Sequence, residues 1–249
     1  MVHLHALPGA PGYGRLLDAI VQAARRDAAT LLDNGCDGIV FENFGDRPFP
    51  KKTSLETVAA MTRVIAEVMR TVSPPFGVNV LRNDAHAALA IAAATGASFI
   101  RVNVHTGVMF TDQGVIEGEA AETIRMRNSV APHIAVFADH MVKHAVPPPG
   151  TDVAQSARDV RHRGLADAVI VSGAETGAAV DSERLRTVRE AIDAPILIGS
   201  GLNVDNVHLY GDADGALVGT AFKEDGNVDA PVDAARVARL VSAFRAAAR

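Results

Sequence analysis

Eight short apolar runs, each followed by a segment of helical length, fill the whole 249-residue chain. The runs cover residues 2–7, 38–43, 76–81, 98–103, 133–139, 167–172, 195–201 and 213–220. Between them lie amphipathic, alanine-rich stretches whose apolar positions recur with helical spacing. Helices are expected over 16–34, from the Thr53-Ser-Leu-Glu56 capping pattern to before Pro74, and from Asp84 to Gly96. Others are expected over 117–129, 153–163, 182–192 and 232–247, with a short one at 203–210. Short strands apolar on both faces belong to a parallel sheet covered by helices.

This alternation predicts an α/β fold, a single (β/α)8 TIM barrel spanning residues 1–249 as one domain, close to the usual length for that architecture. An open doubly wound sheet is the alternative, because alternation alone does not prove closure. The net charge of −5 and pI of about 6.0 argue against a general nucleic-acid binder, which needs a basic face. No apolar run reaches the roughly 18 residues of a transmembrane segment. The first residues lack the basic start and apolar core of a signal peptide. A lone cysteine, Cys36, excludes an internal disulfide and suits a reducing, cytoplasmic location. A homo-oligomer is compatible with all of this.

Polar residues concentrate where the strands end, the side on which barrels of this kind build their active sites. Glu42 and Asn43 close the second run. Asn79 and then Arg82 follow the third, and Arg101 and Asn103 share one face of the fourth. Asp139 ends the fifth, with Lys143 just beyond, and Ser172-Gly173 end the sixth, with Thr176-Gly177 next. Asp139 is the first candidate for general acid/base work and Glu42 the second. Lys143 suits charge stabilisation better than covalent chemistry. Asn79, Arg82, Arg101, Asn103, Asp112, Ser172 and Gly173 are candidate ligand contacts, Asp112 from a glycine-bearing loop (105–115) of lid-like length. The bland alternative is a mutually satisfied plug: Glu42 paired with Arg101, and asparagines bonded to loop backbone.

The last two runs end in Gly199-Ser200-Gly201 and Gly219-Thr220. Glycine-ended strands leave backbone N–H groups unshielded, and adjacent ones can surround a phosphate. A phosphorylated small molecule is therefore the expected partner. His3-Leu-His5 has the spacing of a strand-borne metal pair. The pair resembles the one on the first strand of amidohydrolase barrels, a family that also places a histidine at the end of the sixth strand and an aspartate at the end of the eighth. Ser172 and Gly219-Thr220 stand there instead, so no metal and no other cofactor is expected, and a metal-dependent hydrolase remains a minor alternative.

Several ordered stretches resemble the BtpA family: Val40-Phe-Glu-Asn-Phe-Gly-Asp46, Asn79-Val-Leu-Arg-Asn-Asp84 and Phe99-Ile-Arg-Val-Asn103. Thr111-Asp-Gln-Gly-Val-Ile-Glu-Gly118, Gly164-Leu-Ala-Asp167, Val171-Ser-Gly173 and Gly199-Ser-Gly201 are similar too. The resemblance covers nearly the whole chain and implies a phosphate-binding barrel of the ribulose-phosphate-binding type. Members of that family have been labelled photosystem I biogenesis factors and, by barrel similarity, isomerase-like. The expectations are thus an isomerase or lyase acting on a phosphorylated metabolite or, alternatively, a non-enzymatic assembly factor. In this chain the segment after the fifth run, Asp139-His-Met-Val-Lys-His144, is one residue shorter than the family's usual pattern, and the first run starts almost at Met1.

Overall fold

The computed structural model describes residues 1–14, 16–173 and 180–247. Thr176 and Gly177 lie outside the described residues. Eight parallel strands form one curled sheet in the order β1 (Val2–His3), β2 (Ile39–Glu42), β3 (Phe76–Asn79), β4 (Phe99–Val102), β7 (Ala135–His140), β9 (Ala168–Val171), β10 (Ile196–Ile198), β11 (Gly215–Ala216). Its two ends meet: the Met1 amino group donates to Val218 O at 2.7 Å. The register aligns Glu42 with Asn79, Asn79 with Arg101 and His140 with Val171. The strands therefore bring their polar C-terminal residues to one end of an α/β barrel.

Helices cover the sheet for reasons visible in their sequences. In α1 (Leu17–Asp33), Ile20, Val21, Ala24, Ala28 and Leu31 recur on one buried face. In α2 (Leu55–Met69) the hydroxyl of Ser54 accepts from Thr57 N. In α3 (Ala85–Thr95) alanines at 85, 87, 88 and 92 bury beside Leu89 and Ile91, and Gly96 stops the helix in the left-handed conformation (φ 79°). Asp84 caps α3 through Ala87 N (3.0 Å) while its other oxygen accepts from Thr53 N (2.9 Å), tying the loop before α2 to the start of α3. At the opposite end of the barrel, the rings of Phe99 and Phe137 stack at 4.4 Å. Gly77 makes that packing feasible, since a Cβ there would lie 2.2 Å from the Phe99 ring.

Several expected elements change. The first strand ends at His3, not Leu7, and the last is confined to Gly215–Ala216. The expected lid at 105–115 is ordered as a hairpin, β5 (Val108–Thr111) against β6 (Gly114–Glu117), to which β8 (Ala145–Val146) adds. Consequently α4 runs from Ala120 to Val130 instead of starting at 117. Gly118 lets the chain cross the backbone of His105, which a Cβ would approach to 2.5 Å. The expected helix at 153–163 splits into α5 (Val153–Arg158) and a π-helical turn, Asp159–Arg163. After α6 (Ser182–Ala191) the expected short helix is a 3-10 turn, Val207–Tyr210, and α7 (Ala234–Ala247) closes the described chain. No helix among the described residues is long and apolar enough to cross a membrane.

Candidate active site at the strand C-termini

The centre of the barrel mouth is an ion pair. Arg101 Nε and Nη2 donate to the two oxygens of Asp139, both at 2.8 Å, with both side chains almost fully buried. Asp139 also accepts from Ser172 Oγ (3.0 Å) and Asn103 Nδ2 (3.2 Å), and Asn103 Oδ1 in turn accepts from Asn79 Nδ2 (3.1 Å). Burial alone would lower the Arg101 guanidinium, but the Asp139 carboxylate outweighs it and holds Arg101 above its ordinary value. Arg101 thus pairs with Asp139, not with Glu42. The first candidate base has both oxygens engaged, so it is the least available carboxylate at this end of the barrel.

Beside this pair lies a cavity of about 180 Å³. His3, Glu42, Arg101 and Lys143 line it from one side, and Gly199, Ser200, Gly201, Gly219 and Thr220 from the other. Glu42 is 3% exposed, and its Oε2 lies 3.6 Å from His3 Nε2. Burial, with the positive charges of the Met1 amino group, Lys223 and Lys143 adding to it, holds His3 well below the usual histidine range. At neutral pH its ring is uncharged, and Glu42 has no cationic partner in contact among the described residues. Lys143 is half-buried, and burial pushes its ammonium below the usual lysine range; Glu42 opposes this and Arg101 adds to it.

The glycines have separate reasons to be there. At Gly199 a Cβ would meet Ile170 and the Ser172 hydroxyl at 2.4 Å, and Arg101 at 3.2 Å. At Gly219 it would strike the His3 ring at 2.8 Å. Gly201 takes the left-handed conformation (φ 73°), and its carbonyl accepts from Asn206 Nδ2. Among the described residues no acceptor takes the backbone N–H of Gly201, Gly219 or Thr220.

Lys143 reaches the cavity from a taut segment, 140–144. Met141 (φ 53°) and His144 (φ 54°) are both left-handed without being glycine. Two arginines hold this strap by its carbonyls. Arg82 Nη2 donates to Lys143 O at 2.6 Å; Arg184 Nη2 donates to His140 O (2.5 Å) and Met141 O (3.0 Å), and its Nη1 to Ser172 O (3.2 Å).

The structure therefore gathers Glu42, Arg101, Lys143 and all five glycine-loop residues around one cavity. Asp139 and Asn103 instead line a larger one of about 940 Å³ between the hairpin, α4 and α5. Asn79 and Ser172 are fully buried in the ion-pair network. Gly173 is not free to bind a ligand through its N–H, which donates to Ser200 Oγ at 2.9 Å. Arg82 is buried against the strap, and Asp112 sits at the tip of the hairpin, where it accepts from Gln113 Nε2. Asn43 accepts from Leu81 N (2.7 Å) and Asn83 from Val104 N (2.8 Å), so both brace loop backbone. Arg184 was not legible as part of the site: it lies one turn into a helix, and only the fold brings it to the strap. No three His, Cys, Asp or Glu residues among those described form a metal-ligand group.

The fold of this α/β barrel has parallels among solved structures. A geranylgeranylglyceryl phosphate synthase of Thermoplasma acidophilum, solved with sn-glycerol-1-phosphate, superposes with a TM-score of 0.60 at 16% identity, covering 90% of this chain and 88% of that one. A thiamine phosphate pyrophosphorylase of Pyrococcus furiosus gives 0.59 at 16%, covering 91% and 90%. At such identity these establish the fold. Residues 1–246 match the BtpA family, and the chain belongs to it. It is 48% identical over 242 residues to an uncharacterized protein of Thermococcus kodakarensis, covering 97% of this chain and 92% of that one. It is 43% identical over 247 residues to the photosystem I biogenesis protein BtpA of Synechocystis sp., covering 98% and 86%.

Proposed function

We propose that this chain, as a single TIM-barrel domain, is an isomerase or lyase that binds a phosphorylated, sugar-like metabolite at the small cavity. The observation that carries the reading is that Gly201, Gly219 and Thr220, whose backbone N–H groups have no acceptor among the described residues, line one cavity of about 180 Å³ with Lys143 and Arg101. Oriented N–H groups and nearby cations are the elements of a phosphate cradle. Structural neighbours named for phosphate compounds support it. Glu42, buried at the cavity with no charged partner in contact among the described residues, is the group to move a proton beside a carbonyl. Asp139 fixes Arg101 instead. Sugar phosphates should raise the melting temperature of the wild-type protein, and Gly201→Asp, which places a carboxylate in the cradle, should abolish that rise. An undiminished rise in the variant removes the phosphate reading.

One observation favours a second reading, a non-enzymatic assembly factor. Phe110, Val115 and Val146 are paired neighbours across the hairpin sheet and are 48%, 42% and 64% exposed. Such a row suits a protein partner, in line with the name of the Synechocystis relative. Phe110→Ser with Val146→Ser, introduced into a Synechocystis strain lacking that relative, tests it. Loss of photosystem I there, with sugar-phosphate protection intact, would favour this reading over the enzyme.

A further inference from the structure

We propose that Lys143 is a nucleophilic amine that condenses with the carbonyl group of an aldose or ketose phosphate, and that Arg82 and Arg184 are positioning residues that hold it over the cavity. The inference rests on the phosphate reading for its ligand and on separate geometry for its chemistry.

The chain contains four lysines. Lys51 and Lys52 are exposed: the Lys51 ammonium donates to Val115 O, and Lys52 pairs with Glu119. Lys223 is buried in an ion pair with Asp27 at 2.6 Å. Lys143 alone lines the cavity of Glu42 and the glycine loops, and no carboxylate among the described residues lies within ion-pair distance of it. An amine in a confined site with no ion-pair partner loses its proton more readily than a paired one, and the free amine is the nucleophile. The direction of its titration agrees.

Its placement is costly to the backbone. Two left-handed, non-glycine residues bracket Val142-Lys143, and such conformations persist where the surroundings impose them. Here the surroundings are the guanidiniums of Arg82 and Arg184, which take the carbonyls of His140, Met141 and Lys143. Burial lowers both guanidiniums from the ordinary arginine value, and arginine stays charged in proteins. They hold the strap by its backbone, so the Lys143 side chain is left for the cavity.

The step balances with groups on the page. A cavity water relays a proton from the Lys143 ammonium to Glu42, which lies beyond direct contact, and the freed lone pair adds to the carbonyl carbon as the C–O π pair moves to oxygen. A proton passes from nitrogen to that oxygen. Glu42 then returns its proton to the hydroxyl, which leaves as water while the nitrogen lone pair forms the C=N bond. A protonated imine and one water result, with no net redox change.

The test is borohydride reduction of the full chain with dihydroxyacetone phosphate or with dihydroxyacetone, read by intact mass and peptide mapping. The expected result is one adduct, of the ketose phosphate less one oxygen atom, on Lys143, at least tenfold faster with the phosphorylated compound. Lys143→Met should lose it while melting normally. Arg184→Gln, with Arg82→Gln as the second variant should the first fail to fold, should slow trapping and move the pH midpoint of its rate up toward an ordinary lysine. Adducts confined to Lys51 and Lys52, or undiminished in Lys143→Met, overturn the amine. Sugar-phosphate thermal protection without trapping overturns the amine and spares the phosphate reading. Equal trapping of both ketoses on Lys143 spares the amine and overturns the phosphate reading. An unchanged pH profile in both arginine variants removes their positioning role.

Discussion

At the scale of single residues, the polar end of the barrel divides into two populations that composition cannot separate. Asp139 accepts four hydrogen bonds that engage both of its oxygens, whereas Lys143 and Glu42 face a cavity and have no charged ion-pair partner in contact among the described residues. Asp139→Asn would leave Arg101 as a buried cation without its counter-ion, which costs about 3–5 kcal/mol. Lys143→Met removes a charge that nothing in contact compensates, so stability should stay level or rise. Urea denaturation of both variants checks this contrast, and equal losses would contradict it. The sequence shows that Glu42, Arg101 and Asp139 lie at the ends of three strands, of which only β4 and β7 are paired neighbours. It does not show that Arg101 chooses Asp139 over Glu42, because that choice is made by the stagger of β4 against β7. The glycines teach a similar lesson. Their positions read as a phosphate loop, yet Gly199 and Gly219 are also required by Ile170, Ser172 and the His3 ring. Gly199→Ala should therefore destabilise the protein by about 1–3 kcal/mol through overpacking alone, measured without any ligand present.

At the scale of elements, what was legible follows local rules. The aspartate before α3 and the glycine after it set helix ends where expected, while in the Thr53–Glu56 capping pattern Ser54, not Thr53, is the cap and α2 starts inside the motif. Non-local pairing was not legible. The hairpin of β5 and β6 hides in a glycine-bearing loop because β8, some 30 residues later, helps to define it. The strap depends on arginines from the end of β3 and from α6, which no local window contains. Asp84 joins both kinds of information, as a cap for α3 and a brace for Thr53 N. Asp84→Ala removes two acceptors, one of them serving a buried N–H. We expect a loss of about 2 kcal/mol, more than a cap alone. Asp84→Ser, which can keep the cap but not reach both donors, should recover only part of it.

At the scale of the whole molecule, alternation of runs made the barrel legible, since a chain of eight strand–helix units has few ways to bury every face. What alternation does not reveal is how the interior responds to protons. His3, His105 and His140 are held neutral, each chiefly by burial, and His140 is lowered from 6.5 to about 4, with Arg184 adding to the effect of burial. The unfolded chain protonates its histidines near pH 6.5, whereas the folded protein resists until lower pH. Over that interval the unfolded state binds more protons, so stability is full above about pH 6.5 and falls as pH drops toward 4. For His140 the whole loss is roughly 3 kcal/mol. Asp46, raised by burial, works in the opposite sense, but from the carboxylate range. Unfolding free energy measured in urea from pH 7 to 4.5 should therefore decline before carboxylates titrate. His140→Gln keeps a polar group but cannot take up the proton, so its slope should be shallower by up to about 1.4 kcal/mol per pH unit. Parallel slopes in wild type and variant would mean that His140 is protonated in the folded protein, and that the end of β7 tolerates a charge beside Arg184.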